Sequence, residues 1–172
     1  MAYSQRCGYL TSHQKFSQTM IDIILFQPEI PQNTGNIGRL CAFIEARLHL
    51  IHPLGFKITD KNLRRAGMDY WKDLEVLEYE NWDRFLSSSS RPDNIFLLTT
   101  HAQKKIWDVR FQKGDGLLFG NEGGGAPDYV HRWVGDNRVT IPKYSPKLRS
   151  LNLAVSAGIS AYEAIRQISD SG

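Results

Sequence analysis

Residues 119–127 read Phe-Gly-Asn-Glu-Gly-Gly-Gly-Ala-Pro, and the interpretation of this stretch decides the fold. Just upstream, Leu117-Leu118-Phe119 is an apolar run short enough to be a buried strand. Gly120, Gly123, Gly124 and Gly125 then permit a turn that few other residues could follow, and a backbone that a second molecule can approach closely. Pro127 is suited to open a helix, because it fixes φ and lacks an N–H that would go unpaired there in any case. A strand, a glycine loop and a helix start together mark the place where α/β proteins bind ligands. One acid, Glu122, sits inside the loop. The loop is neither a dinucleotide fingerprint nor a P-loop, since no Gly-Lys-Ser/Thr closes it. Taken alone it is equally a tight turn packing a strand against a helix.

Upstream, Ile21-Asp22-Ile23-Ile24-Leu25-Phe26 reads as a first buried strand, and Pro28 and Pro31 keep the next segment extended. Asn33-Thr34-Gly35-Asn36-Ile37-Gly38-Arg39 leads into Leu40, Cys41, Phe43 and Ile44 at helical spacing. Asn33 or Thr34 is the expected cap, with the helix ending near Glu45. Residues 48–51 read as a second strand, 59–67 as a helical turn with a basic face, 74–77 as a third strand and 82–86 as a short helix. Residues 95–100 form another strand, followed by Lys104, Lys105 and Arg110 in a loop. Downstream, residues 128–134 should be helical, and Val139-Thr140-Ile141 is a last strand closed by Pro142. A basic loop, 143–149, precedes a final helix over 151–168, with Ser150 as its cap and Asn152 in its first turn. Alternating strands and helices predict an α/β fold with a mostly parallel sheet and flanking helices.

At 172 residues, 41% hydrophobic and 11% aromatic, the chain suits one globular domain with a real core. No stretch approaches the roughly 20 apolar residues of a membrane span, so no membrane partner is expected. A net charge of +3 permits a nucleic-acid partner without demanding one. Cys7 and Cys41 are too few and too far apart for a disulfide framework or a zinc site, so a reducing cytoplasm and no metal are expected. Residues 1–19 are polar and lack a signal peptide's apolar core. With Met20 standing directly before the first strand, they read as a disordered or mis-assigned extension to a domain over 20–170.

The order of three segments is more specific than any one of them. Asn-Thr-Gly-Asn-Ile-Gly-Arg (33–39), Phe-Gly-Asn-Glu-Gly-Gly-Gly-Ala-Pro (119–127), and Ile141-Pro142 with Arg-Ser-Leu-Asn-Leu (149–153) resemble the three motifs of the SPOUT superfamily of RNA methyltransferases. Pro-Glu-Ile-Pro-Gln-Asn-Thr-Gly-Asn-Ile (28–37) and Leu-Arg-Arg-Ala-Gly-Met-Asp-Tyr-Trp (63–71) look closest to the small tRNA (cytidine/uridine-34-2′-O)-methyltransferases, which modify the wobble nucleotide of leucine tRNAs. The resemblance runs from about Met20 to Gln167. It implies a sheet whose C-terminal part is tied in a deep trefoil knot, an exception to the rule that chains avoid threading loops. It also implies a homodimer whose active sites are completed across the interface, with S-adenosylmethionine bound in the knot.

By position, the resemblance places cofactor contacts at Leu98, Gly120, Ile141 and Ser150. It places the catalytic arginine at Arg39, with Asn33, Glu122, Ser150 and Asn152 as its polar supports. Lys61, Arg64, Arg65, Lys143, Lys147 and Arg149 are candidate tRNA contacts, collectively making binding salt-dependent. Ala126 replaces the usual leucine before the motif's proline, Gly124 and Lys143 stand where many relatives carry arginine and methionine, and Ala154-Val155 replaces a Ser-Asn pair. These departures touch pocket shape and RNA contact. Two other readings stand beside this one: a SPOUT methyltransferase acting on another tRNA or ribosomal RNA ribose, and a non-catalytic RNA-binding module.

Overall fold

A computed structural model of the chain describes residues 19–58 and 69–170. The expected basic turn over 59–67, with Lys61, Arg64 and Arg65, and all but the last residue of the 1–19 extension lie outside the described residues.

Strand β1 (Ile21–Phe26) is buried along its whole length, the pattern of a strand covered on both faces. Helix α1 (Pro31–Ile44) follows, then β2 (Arg47–Ile51), a 3-10 turn (Asp69–Asp73), β3 (Val76–Tyr79) and α2 (Trp82–Leu86). The chain continues through β4 (Ile95–Leu98), β5 (Asp115–Phe119), α3 (Asp128–Val134), β6 (Arg138–Val139) and α4 (Leu153–Ser169). The strands form one six-stranded sheet in the order β3-β2-β1-β5-β4-β6, parallel at every pairing.

Period-2 alternation along β1 divides the core in two. Ile21, Ile23 and Leu25 join Ile37 and Cys41 of α1 and Ala157, Ala161 and Ala164 of α4 on one face. Ile24 and Phe26 join Trp82 and Phe85 of α2 and Val130 and Val134 of α3 on the other. The result is a helix–sheet–helix sandwich, as the alternating elements predict.

Several boundaries differ from the sequence reading. Helix α1 begins at Pro31, two residues before Asn33, after an extended Ile30 and with no side-chain cap. Proline's fixed φ and missing N–H suit that first position. Strand β3 lies two residues later than expected, because Leu74 closes the 3-10 turn against the first core and Val76 is the residue registered with Leu48. The segments at 95–100 and 139–141 are strands only over 95–98 and 138–139, although Thr140 still bridges to Lys105. Pro127 flanks α3 instead of opening it, its carbonyl accepting the N–H groups of Val130 and His131.

Among the buried groups, Asp22 is fully enclosed. Arg47 Nε donates to its Oδ1 at 2.8 Å and Nη2 donates to Oδ2, while His49 Nε2 lies 3.8 Å away. Burial pushes the Asp22 carboxyl up, but the Arg47 hydrogen bonds, with His49 beside them, pull it further down, so it titrates below its ordinary value. A carboxyl held lower in the folded than in the unfolded chain stabilises the fold above the ordinary carboxylate range, and that contribution fades as pH falls through the folded value. The stability advantage of the wild type over Asp22→Asn is therefore expected to be full at pH 6 and to shrink toward pH 3, as read from urea unfolding midpoints at each pH.

Candidate functional site

The three motifs meet where β1, β4 and β5 end, around a cavity of about 940 Å³, a volume within the usual range for ligand pockets. Leu98, Gly120, Ile141 and Ser150, the expected cofactor contacts, all line it, as do Asn33, Glu122 and Asn152. Gly120 is required by close approach. A Cβ on it would lie 2.1 Å from Ala126 N and 2.2 Å from Gly125 C, inside the backbone of its own loop. The loop is folded back by Gly125 N–H to Asn121 O (3.0 Å) and Gly124 N–H to Asn121 Oδ1 (2.6 Å), with Gly125 at φ 75°.

Glu122 fastens the segment that leads into α1. Its Oε2 accepts the Glu29 N–H at 2.8 Å, and its Oε1 accepts the Ile30 N–H at 3.2 Å and Asn33 Nδ2 at 3.0 Å. A carboxylate delivered from the glycine loop thus receives the donors at the entry to a helix, where negative charge is favoured. Asn33 passes the connection on, its Oδ1 accepting Asn152 Nδ2 at 2.9 Å. Asn152 Oδ1 then accepts the N–H groups of Ala154 (2.8 Å) and Val155 (3.3 Å) at the start of α4. Asn152, not Ser150, is therefore the cap of the last helix, which begins at Leu153. Both residue types cap well, and the contact with Asn33 selects between them. Replacing Asn152 by alanine is expected to cost roughly 1 kcal/mol through the lost cap, seen as a melting temperature lower by about 2–4 °C, with a larger proportional loss of activity because Asn33 Oδ1 loses its partner.

Glu29 belongs to the same cluster and is missed by sequence reasoning. Its Oε2 accepts the Gly123 N–H at 3.0 Å, so Glu122 holds the Glu29 backbone while Glu29 holds that of Gly123, the next residue after Glu122. Glu29 lies within the 28–37 segment that carries the resemblance, but its residue type and its place between prolines do not separate it from a solvated carboxylate. Arg149 donates through Nη2 to the Gly123 carbonyl from the far side.

The remaining expected residues divide. Lys143 and Arg149 line the cavity, Lys143 Nζ donating to Leu148 O at 3.0 Å, whereas Lys147 is exposed and lies off the cavity wall. Arg39 is also exposed and does not line the cavity of its own chain. Its guanidinium lies over the Tyr70 ring, 5.7 Å from the centroid, and Tyr70 O–H donates to Gly35 O at 2.5 Å. Burial pushes the Tyr70 hydroxyl up, so it stays a donor. Across the cavity, His131 and His101 face each other at 6.2 Å. Burial, then Arg138 and His101, push the His131 imidazole below its ordinary value. Among the described residues no group of histidine, cysteine and carboxylate side chains could hold a metal ion, and no helix is long and apolar enough to cross a membrane.

The SpoU rRNA Methylase family model matches residues 20–162. A tRNA (cytidine(34)-2'-O)-methyltransferase of Saccharophagus degradans is 44% identical over 154 residues, which covers 89% of this chain and 99% of that protein. A solved structure described as giving structural insights into the 2-OH methylation of C/U34 on tRNA superposes with a TM-score of 0.82 at 40% identity, covering 88% of this chain and 98% of that one. An AdoMet-bound rRNA methyltransferase from Sinorhizobium meliloti shares the fold at a TM-score of 0.74 and 23% identity, over 85% of this chain and 56% of that one. With three motifs joined around one cavity and this likeness along nearly its whole length, the chain belongs to the SpoU rRNA methylase family of the SPOUT superfamily, in the branch of the tRNA (cytidine(34)-2'-O)-methyltransferases.

Proposed function

We propose that this protein transfers a methyl group from S-adenosylmethionine to the ribose 2′-hydroxyl of the wobble nucleotide, position 34, of tRNA. Leucine tRNAs are its acceptors, and it works as a cytoplasmic homodimer. The observation that carries this reading is the hydrogen-bonded chain from Glu122 through Asn33 to Asn152, which fastens the three motifs to a single cavity.

The residues present fit S-adenosylmethionine. Leu98 and Ile141 offer apolar walls, the Gly120 backbone leaves room for close approach, and Ser150 brings a hydroxyl to the rim. In the same reading the C-terminal segment is threaded as a trefoil knot, in keeping with the fold shared with the C/U34 structure. When bound, the donor supplies an electrophilic methyl whose leaving group needs no proton. The chain's own tasks are to align the ribose and to make its hydroxyl a better nucleophile. Near-attack alignment alone is worth up to about 7–11 kcal/mol in the best intramolecular models.

Arg39 is not the base, because a guanidinium is effectively never deprotonated in proteins. It grips the phosphate beside the target ribose and lowers the hydroxyl's pKa electrostatically, and the proton passes to water or a neighbouring group. It reaches the cavity from the second protomer. Its absence from its own chain's cavity supports this, as does an apolar stripe on the adjacent helices. Phe43 is 78% exposed on α1, and Val155, Ile159 and Tyr162 lie exposed along α4 at helical spacing, with Leu151 exposed just before it. Lys143, Lys147 and Arg149, with Lys61, Arg64 and Arg65, contact the tRNA backbone and make binding salt-dependent. DNA is excluded as a substrate because it lacks the 2′-hydroxyl.

The test is mass mapping of 2′-O-methyl groups in tRNA from cells with and without the gene, and in tRNA transcripts treated with the purified protein. Loss and gain of the methyl at position 34 of leucine tRNAs is the expected result. A methyl at another ribose would point to a different acceptor. In a parallel melt, S-adenosylmethionine at 100 times its dissociation constant should add about 2.7 kcal/mol of stability. No added stability would leave an RNA-binding module.

A further inference from the structure

We propose that Tyr144, at the mouth of the reaction cavity, is the platform on which the base of the target nucleotide stacks. The inference rests on the RNA substrate proposed above and adds the contact that holds the base, from a residue lying between the two halves of the third motif. Tyr144 belongs to the 143–149 loop, between Pro142 and Ser150. Both ends of that loop line the cavity, as do Tyr144 and Leu148 within it. The loop is tied back on itself by Lys143 Nζ donating to Leu148 O at 3.0 Å and by Lys147 N–H donating to Ser145 Oγ at 3.3 Å. Arg149, at its end, donates to the Gly123 carbonyl of the glycine loop. Tyr144 is thus carried on a rim that is fastened both within itself and to the glycine loop.

Three observations point to a base. Tyr144 is 90% exposed, the barest large hydrophobic side chain among the described residues, and Leu148 on the same rim is 63% exposed. Among the described residues the Tyr144 hydroxyl makes no hydrogen bond and its ring packs on no other ring, so both are open to an outside partner. Its place is also singular. Phe43, Trp107, Tyr129, Trp133 and Tyr162 are exposed but off the cavity wall, and Phe119 lines the cavity but is buried, which leaves Tyr144 as the exposed phenyl or indole ring on that wall. Finally, the loop holds Lys143, Lys147 and Arg149 and no carboxylate. An aromatic face among cations is how proteins hold an unpaired base and its phosphates. The chemistry of the acceptor agrees. Base and reactive hydroxyl are carried on adjacent ribose carbons, so a nucleotide with its hydroxyl in the cavity leaves its base at the mouth. The wobble base lies in a loop, unpaired, and can turn out onto an aromatic ring. Stacking uses the face that every base has, so this contact fixes the ribose without reading base identity.

Tyr144 belongs to neither core, so truncating it leaves the fold intact. Two labelled anticodon stem–loop RNAs are compared by fluorescence anisotropy on the full-length protein, one with cytidine at position 34 and one with the same ribose lacking its base. Removing the base should weaken binding to the wild type about tenfold, the loss of one stacked base. Tyr144→Ala should bind the cytidine RNA about tenfold more weakly than the wild type does, and the abasic RNA within about twofold of it. Tyr144→Phe keeps the ring and should bind both RNAs as the wild type does. Stabilisation by S-adenosylmethionine should be unchanged in both variants. If Tyr144→Ala holds the cytidine RNA as tightly as the wild type, or loses equally on both RNAs, Tyr144 does not carry that base and the proposal fails. It fails also if Tyr144→Ala weakens the stabilisation by S-adenosylmethionine, which would make the ring a cover for the donor. A changed oligomeric mass would make it a protein contact and overturn the proposal likewise. If the wild type is stabilised by S-adenosylmethionine but binds neither RNA, the RNA substrate itself is wrong and the platform falls with it.

Discussion

The Glu122→Ala protein is expected to retain no more than about one hundredth of the wild-type methyl transfer, the scale of loss that a 1 Å misplacement of reacting groups produces. Its carboxylate is the common acceptor for the Glu29 N–H, the Ile30 N–H and Asn33 Nδ2. Alanine leaves all three donors without it, and Asn33 is 6% exposed, so water does not readily replace the lost partner. Stability should fall by about 1–3 kcal/mol, the cost of orphaned donors near the surface. Glu122→Gln should be intermediate, because its amide offers one acceptor oxygen and turns an NH2 toward donors. Single-turnover rates at saturating cofactor would show whether alignment is what is lost. A rate within threefold of wild type would mean that the glycine loop holds its shape without Glu122.

The same variant tests the proposed sharing of the site between two protomers. Mixed with Arg39→Ala after unfolding and refolding together, Glu122→Ala should recover activity. Half of the random dimers are mixed, and each mixed dimer has one cavity with an intact Glu122 facing an intact Arg39 from its partner, giving about a quarter of wild-type activity. If Arg39 instead serves the cavity of its own chain, each mixed dimer has two broken sites and the mixture stays inactive.

Much of the molecule can be read from local signals, and the misread site residues share one cause. Strands β1, β2, β4 and β5 announce themselves as short apolar runs, and α3 and α4 by periodicity between glycine and proline breaks. What misleads is a residue whose role is fixed by a distant partner. Asn33 has the chemistry of an N-cap and sits where a cap is expected, yet the helix starts at Pro31 and Asn33 turns its side chain to Glu122, 89 residues away. Ser150 and Asn152 are both good caps, and the choice is made by Asn33, 119 residues away. Glu29 carries no local signal, because its function is to hold Gly123, 94 residues away. Joint motif order supplied what local chemistry could not, since it implied that 33–39, 119–127 and 149–153 meet. Arg39 marks where even that ends, because its position on α1 leaves it outside its own chain's cavity.

Gly120→Ala is expected to abolish the response to S-adenosylmethionine altogether. The added methyl has nowhere to go, because the atoms it would meet at 2.1 and 2.2 Å are backbone of the same loop, at Ala126 N and Gly125 C. Side chains can rotate away from such a contact, whereas backbone must shift. The loop is pinned on both sides, by Asn121 to Gly124 and Gly125 within it and by Glu29 and Arg149 to Gly123 from outside. Relief therefore requires breaking some of those bonds, and overpacking of this kind costs about 1–3 kcal/mol or more. A lower melting temperature alone would not distinguish this from general damage. The decisive comparison is with Gly124→Ala, since a Cβ there meets only Asn121 Oδ1, at 3.5 Å, an ordinary contact. Gly124→Ala should keep the wild-type stabilisation by S-adenosylmethionine and Gly120→Ala should show none. Equal responses from the two would mean that the donor does not lie against the Gly120 backbone, and the cavity would have to be assigned to another ligand.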